Sequence, residues 1–97
     1  MKDLIKRLTE TFGPAGSEGP IRELIRKEVE PYVDEIKVDA LGNLICLKKG
    51  TGGGKKVILD AHMDEIGVIV THIDENGFLR FSNIGGLPPH VILGQRV

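Results

Sequence analysis

The chain has 97 residues, of which 40% are hydrophobic and 28% charged, with 13 Lys and Arg residues against 14 Asp and Glu residues. A net charge of −1 offers no basic face, so the composition argues against a nucleic-acid partner. Cys46 is the single cysteine, so no disulfide can form within the chain. The N-terminus lacks the apolar core of a signal peptide, and no apolar run approaches the roughly 20 residues that span a bilayer. We therefore expect a cytoplasmic protein with no membrane partner.

Two amphipathic helices are predicted in the first third of the chain. Apolar residues recur at helical spacing over residues 3–12, and Gly13-Pro14 ends the run. A second apolar stripe extends from Ile21 to Val29, and Ser17 before it belongs to the residue types that cap helices. Pro31 is predicted to end this second helix.

The pattern then becomes that of strands. Residues 36–38 alternate, residues 40–43 have turn chemistry and residues 44–47 are apolar, which predicts a β-hairpin. Residues 48–56 are glycine-rich and predicted to be a flexible loop; a strand rather than a helix follows, which disfavours a phosphate-binding loop. Val57–Leu59 is continuously apolar, as in a strand covered on both faces.

The last third is predicted to be mostly β. Residues 67–73 and 78–81 are two strands joined by an Asn-Gly turn, and residues 91–97 open a further strand. Two helices and five or six strands give an α/β fold, α+β within this chain. A central strand that is covered on both faces needs helices on both sides of the sheet, and with two helices some of the covering material is missing. We therefore expect either a fragment of a longer polypeptide or a partner chain that supplies the rest.

The candidate functional residues follow Val57–Leu59 directly, where active sites of open α/β sheets gather. His62 and Asp64 are two apart, so both project to the same side of an extended chain. The Asp64 carboxylate can then bond one ring nitrogen and leave the other for a metal ion. The alternative is a strand-end histidine beside solvated acids.

Other residues offer little to complete such a site, since a catalytic zinc ion wants three protein ligands and an open position. His72 alternates with valines and is expected to be a partly buried strand residue. His90 follows two prolines and is expected in an exposed loop, and Cys46 is expected to be a small apolar strand residue. The local sequence therefore supplies half a metal site.

The stretch Val57–Gly67 resembles the first metal-binding segment of the tetrahedral, deblocking or glutamyl, aminopeptidases. These are co-catalytic metallopeptidases often labelled endoglucanase. The resemblance covers all 97 residues, because further segments occur in the order that such enzymes show. These segments are Phe12–Glu18, Asp39–Asn43, Ile84–Gly86 and Leu93–Val97.

The resemblance implies that His62 is a ligand of one of two divalent metal ions, zinc or cobalt, and that Asp64 orients it. It implies hydrolysis of N-terminal residues from peptides and a homo-oligomer. Residues 1–66 would begin a zinc-exopeptidase-like α/β sandwich, and residues 67–97 would lead into a PDZ-like β insert used in assembly. The general base and the remaining ligands would lie much later in a longer chain, so these 97 residues alone are expected to be inactive.

Two alternatives stay open at this point. The chain could be a non-catalytic structural or interaction module that assembles through exposed strands. It could also be a subunit whose active site another polypeptide completes.

Overall fold

The computed structural model describes residues 1–96, and these residues form three helices and four strands. The helices are α1 (Lys2–Glu10), α2 (Gly19–Val29) and α3 (Pro89–Ile92), and a 3-10 turn over Glu30–Tyr32 follows α2. The strands are β1 (Glu35–Val38), β2 (Leu44–Leu47), β3 (Gly67–Ile73) and β4 (Leu79–Ile84). They form two separate antiparallel hairpins, β1 with β2 and β3 with β4. None of the helices in this part of the chain has the length and apolar character needed to cross a membrane.

Both predicted N-terminal helices are confirmed, with different ends. Helix α1 stops at Glu10 because Thr11 already has extended backbone, and the Thr11 hydroxyl donates a 2.6 Å hydrogen bond to the carbonyl of Arg7. Ser17 was the wrong cap for α2, since its N–H closes a turn onto the Pro14 carbonyl and Glu18 is the residue that precedes the helix.

The core is small and lies between α1 and α2. Only Ile21 among the hydrophobic side chains of residues 1–96 is buried, with 4% of its surface exposed. The radius of gyration is 18.0 Å, against about 13 Å for a compact domain of 100 residues. The described elements therefore do not close around a common core.

The two hairpin turns lie where the turn residues predicted them, and they share one arrangement. In each turn an Asp Oδ1, from Asp39 or Asp74, accepts the backbone N–H groups two and four residues further on at 2.9 to 3.0 Å. The glycine three residues after each Asp has positive φ, +88° at Gly42 and +85° at Gly77. Glycine adopts this conformation without the steric cost that a Cβ adds.

The β1–β2 turn gives a pH-dependent prediction. Hydrogen bonds from the Asn43 side chain, then from its backbone N–H, lower the pKa of the Asp39 carboxyl. Replacing Asn43 with alanine removes the side-chain donor and should raise the pKa of Asp39, measured by carboxyl carbon NMR titration. Asn76→Ala, in the other turn, is the control and should leave the Asp39 pKa unchanged.

The sign of the pH effect follows from the lowered pKa. Ionised Asp39 stabilises the folded turn at every pH above the unfolded carboxyl value of about 3.9. That stabilisation is lost as the pH falls through the lower pKa of the folded turn. An Asp39 pKa unaffected by Asn43→Ala would show that the amide of Asn43 does not hold the carboxylate.

Three strand predictions need correction. Val57–Leu59 is not a strand, and its three side chains are 80%, 88% and 95% exposed, because no strand within residues 1–96 pairs with this segment. Residues 89–92 form the short helix α3 and the following residues turn, so no strand opens at residue 91; Val97 lies outside the described residues. The described strands consequently number four instead of five or six.

Candidate metal centre

His62 and Asp64 make the contact that their spacing predicted. The Nδ1 atom of His62 lies 3.1 Å from Oδ1 of Asp64 and 3.0 Å from the backbone carbonyl oxygen of Asp64. Both partners are acceptors, so the ring carries its proton on Nδ1 and presents the lone pair of Nε2. The His62 side chain is 86% exposed, so a metal ion could reach Nε2.

Two surface depressions adjoin His62. The larger, of about 300 Å³, lies against the apolar side chains of α1 and α2, including Leu8 and Ile25. The smaller, of about 150 Å³, has Glu18 and the β1–β2 turn residues Leu41 and Asn43 in its wall. His62 thus borders both the helical layer and the first hairpin.

Two carboxylates, those of Glu18 and Asp64, line the smaller depression beside His62. The Gly16 N–H donates a 2.5 Å hydrogen bond to the Glu18 carboxylate. This hydrogen bond is the main reason why the pKa of Glu18 is lowered. Asp64 lies near enough that its charge raises the pKa of Glu18, against that larger effect. Glu18, His62 and Asp64 thus line one depression, but within residues 1–96 they do not come together as a set that could hold a metal ion.

At Glu65, the segment that carries His62 is hydrogen-bonded to the loop between α1 and α2. The backbone N–H of Glu65 donates to the Gly13 carbonyl at 2.9 Å, and Glu65 Oε1 accepts the Gly13 N–H at 3.1 Å. From the sequence, Gly13 was predicted only to end the first helix, and Glu65 was given no role in the site. The available signal was the acid that follows His62 and Asp64, together with a glycine that precedes Pro14, but neither feature reveals that the two residues meet.

The remaining candidates lie apart from this site. His72 is in β3 as predicted but is exposed, because no further layer covers this part of the two-stranded sheet. His90 is exposed as predicted, yet it belongs to α3 and not to a loop. Cys46 is in β2 and exposed. Within residues 1–96 no three His, Cys, Asp or Glu side chains come together as a set that could hold a metal ion.

The matching family profile and two similar proteins are those of aminopeptidases, and the chain covers only part of each similar protein. The profile of the M42 glutamyl aminopeptidase family matches residues 42–97. A putative aminopeptidase of Acetivibrio thermocellus is 57% identical over 97 residues, which are 100% of this chain and 29% of that protein. A lysyl aminopeptidase of Pyrococcus furiosus is 41% identical, over 98% of this chain and 27% of that protein. The chain therefore spans less than a third of these relatives' length.

Solved structures match the arrangement of helices and hairpins. An aminopeptidase of the archaeon Desulfurococcus kamchatkensis superimposes with a TM-score of 0.87 and 40% identity, over 91% of this chain and 24% of that one. The TET1 peptidase of Pyrococcus horikoshii, which can assemble into a tetrahedron or a large octahedral shell, gives 0.76 and 41%, over 90% and 26%. The mixed fold with two small antiparallel sheets is that of the N-terminal part of such enzymes.

Proposed function

This chain belongs to the M42 glutamyl aminopeptidase family, and from that premise we propose that it forms the N-terminal part of a metal-dependent aminopeptidase. The observation that carries the proposal is the anchored ring of His62, whose Nδ1 is bonded to Asp64. No hydrogen bond within residues 1–96 engages Nε2, so that atom is available as a ligand.

The donor chemistry supports one ligand of a zinc or cobalt site. Imidazole nitrogen suits either metal, and the exposed His62 ring offers one such nitrogen. A catalytic zinc ion takes three protein ligands, and the described residues do not bring three suitable side chains together. We therefore assign one ligand to His62 and the others to residues outside this chain.

The roles of the two residues follow from their contacts. Asp64 holds the Nδ1 proton and the ring orientation, which keeps the Nε2 lone pair aimed at one position. When bound, a pair of divalent ions supplies a water of lowered pKa and polarises the scissile carbonyl. The general base that takes the proton from this water is assigned to residues outside the chain. The proposed substrate is a peptide with a free N-terminus.

The domain and assembly assignments are part of the same proposal. Residues 1–66 would begin the catalytic domain, and residues 67–97 would lead into a PDZ-like insert. Assembly of the Pyrococcus horikoshii relative into closed shells supports a homo-oligomer for the complete enzyme. The exposed apolar side chains of Val57–Leu59 need a cover, which we assign to the remainder of the catalytic domain, whether on the same polypeptide or on another.

The test is a chimera in which this chain replaces the aligned segment of the Acetivibrio thermocellus relative, hereafter the chimera. It should hydrolyse an aminoacyl substrate with a free amino group and spare the N-acetylated form. The 97-residue chain alone should hydrolyse neither. A chimera that folds and binds zinc yet cleaves no peptide, beside an active parent, would count against the proposal.

Asp64→Ala in the chimera should weaken zinc binding by about tenfold, because partners that orient a ligand contribute 10–100-fold to metal affinity. The low end of this range is expected since the backbone carbonyl of Asp64 still accepts the Nδ1–H. Asp64→Asn is the matched control, because its amide oxygen can accept the same proton. Zinc affinity is measured by competition with a chelator. Equal loss in both variants would mean that the carboxylate charge, and not its hydrogen bond, is what matters.

A further inference from the structure

Glu65 joins the His62 segment to the helical part of the chain. Residues 48–64 contain no helix or strand, so the main chain before Glu65 is not held by pairing of its own. At Glu65 the backbone forms an isolated parallel bridge with Pro14. The backbone and the side chain of Glu65 together bond both polar groups of Gly13.

Gly13 is itself fixed in position by packing. It is buried, and a Cβ built on it would lie 2.5 Å from Cγ2 of Ile21. Ile21 is the one buried hydrophobic side chain among residues 1–96. The bonds from Glu65 therefore attach to a buried glycine that packs against the buried side chain of Ile21.

We propose that Glu65 is a positioning residue that sets where His62 and Asp64 lie by clamping their segment to Gly13. The proposal rests on the proposed function, because its consequence is the placement of the His62 ligand. Glu65 Oε1 accepts the Gly13 N–H, so the role that we assign to this carboxylate is that of a hydrogen-bond acceptor. The two bonds fix the chain direction three residues after His62.

The test compares two nearly isosteric variants of the chimera. Glu65→Met keeps the length of the side chain but cannot accept the Gly13 N–H, whereas Glu65→Gln retains an acceptor oxygen. Glu65→Met should raise the zinc dissociation constant about tenfold, as for other partners that orient a ligand. Glu65→Gln should recover most of that loss. The readouts are zinc affinity by chelator competition, kcat and KM, and the unfolding midpoint of the metal-free protein.

Each outcome decides the matter. Equal zinc affinity in Glu65→Met and the parent chimera would overturn the proposal. A Glu65→Gln variant that binds zinc as weakly as Glu65→Met would also overturn it, because the charge of Glu65 or direct ligation would then be the cause. If Glu65→Met does not fold, a tenfold loss in Glu65→Gln still overturns it. His62→Ala is measured alongside: unchanged zinc binding there refutes the assignment of His62 as a ligand, on which the clamp rests, whereas loss there with no effect at Glu65 refutes only the clamp.

Discussion

Replacing His62 with alanine in the chimera is expected to reduce peptidase activity by about 1,000-fold and to release metal. Polarisation of a carbonyl by a bound ion is worth several kcal/mol, and each 1.36 kcal/mol changes the rate tenfold. The loss should exceed that of Asp64→Ala, because alanine at position 62 removes the ligand itself whereas Asp64 contributes only the partner of Nδ1.

His72→Ala is the matched control for this experiment. His72 is also an exposed histidine, but it lies in β3 opposite Arg80, away from the two depressions that adjoin His62. Metal content by mass spectrometry and kcat/KM on an unblocked aminoacyl substrate should be unchanged by this control. Unchanged metal content and activity in His62→Ala would remove the site assignment.

Gly13→Ala is expected to destabilise the chimera by about 1–3 kcal/mol, the usual cost of adding a methyl group to a packed position. The new Cβ would meet Cγ2 of Ile21 at 2.5 Å and its Cβ at 2.9 Å. These atoms lie at the branch of a buried side chain, so a rotation of the side-chain end cannot relieve the overlap. The shift of Gly13 should also disturb its two bonds to Glu65 and weaken zinc binding.

Gly54→Ala provides the comparison. Gly54 lies in the loop after β2, lacks positive φ, and has open space around the position of a Cβ. Alanine there should be neutral or stabilise by a few tenths of a kcal/mol, since a glycine-to-alanine change reduces the entropy of the unfolded chain. The measurement is the apparent midpoint of thermal unfolding. Similar midpoints for the two variants would show that Ile21 moves away freely.

Local chemistry explains which parts of this fold the sequence predicts. The turns at Asp39 and Asp74 depend on an Asp oxygen, two nearby N–H groups and one glycine, all within five residues. The contact between His62 and Asp64 is equally local, because extended backbone places residues two apart on one side. Such features need no partner from elsewhere in the chain.

Features that depend on distant partners were missed or mispredicted. Val57–Leu59 has the composition of a buried strand, yet a strand needs a neighbour to accept its hydrogen bonds, and residues 1–96 supply none. The pairing of Glu65 with Gly13 joins positions 52 residues apart, and no periodic pattern reports such a meeting. Residues 89–92 form a helical turn after a proline, where apolar composition alone suggested a strand.

The most direct test of His62 as a metal ligand is anomalous diffraction from crystals of the chimera grown with zinc. We expect an anomalous peak about 2.0–2.1 Å from Nε2 of His62, with Nδ1 still bonded to Asp64. A zinc ion bound through Nδ1, or zinc in the active site without His62 among its ligands, would contradict this expectation.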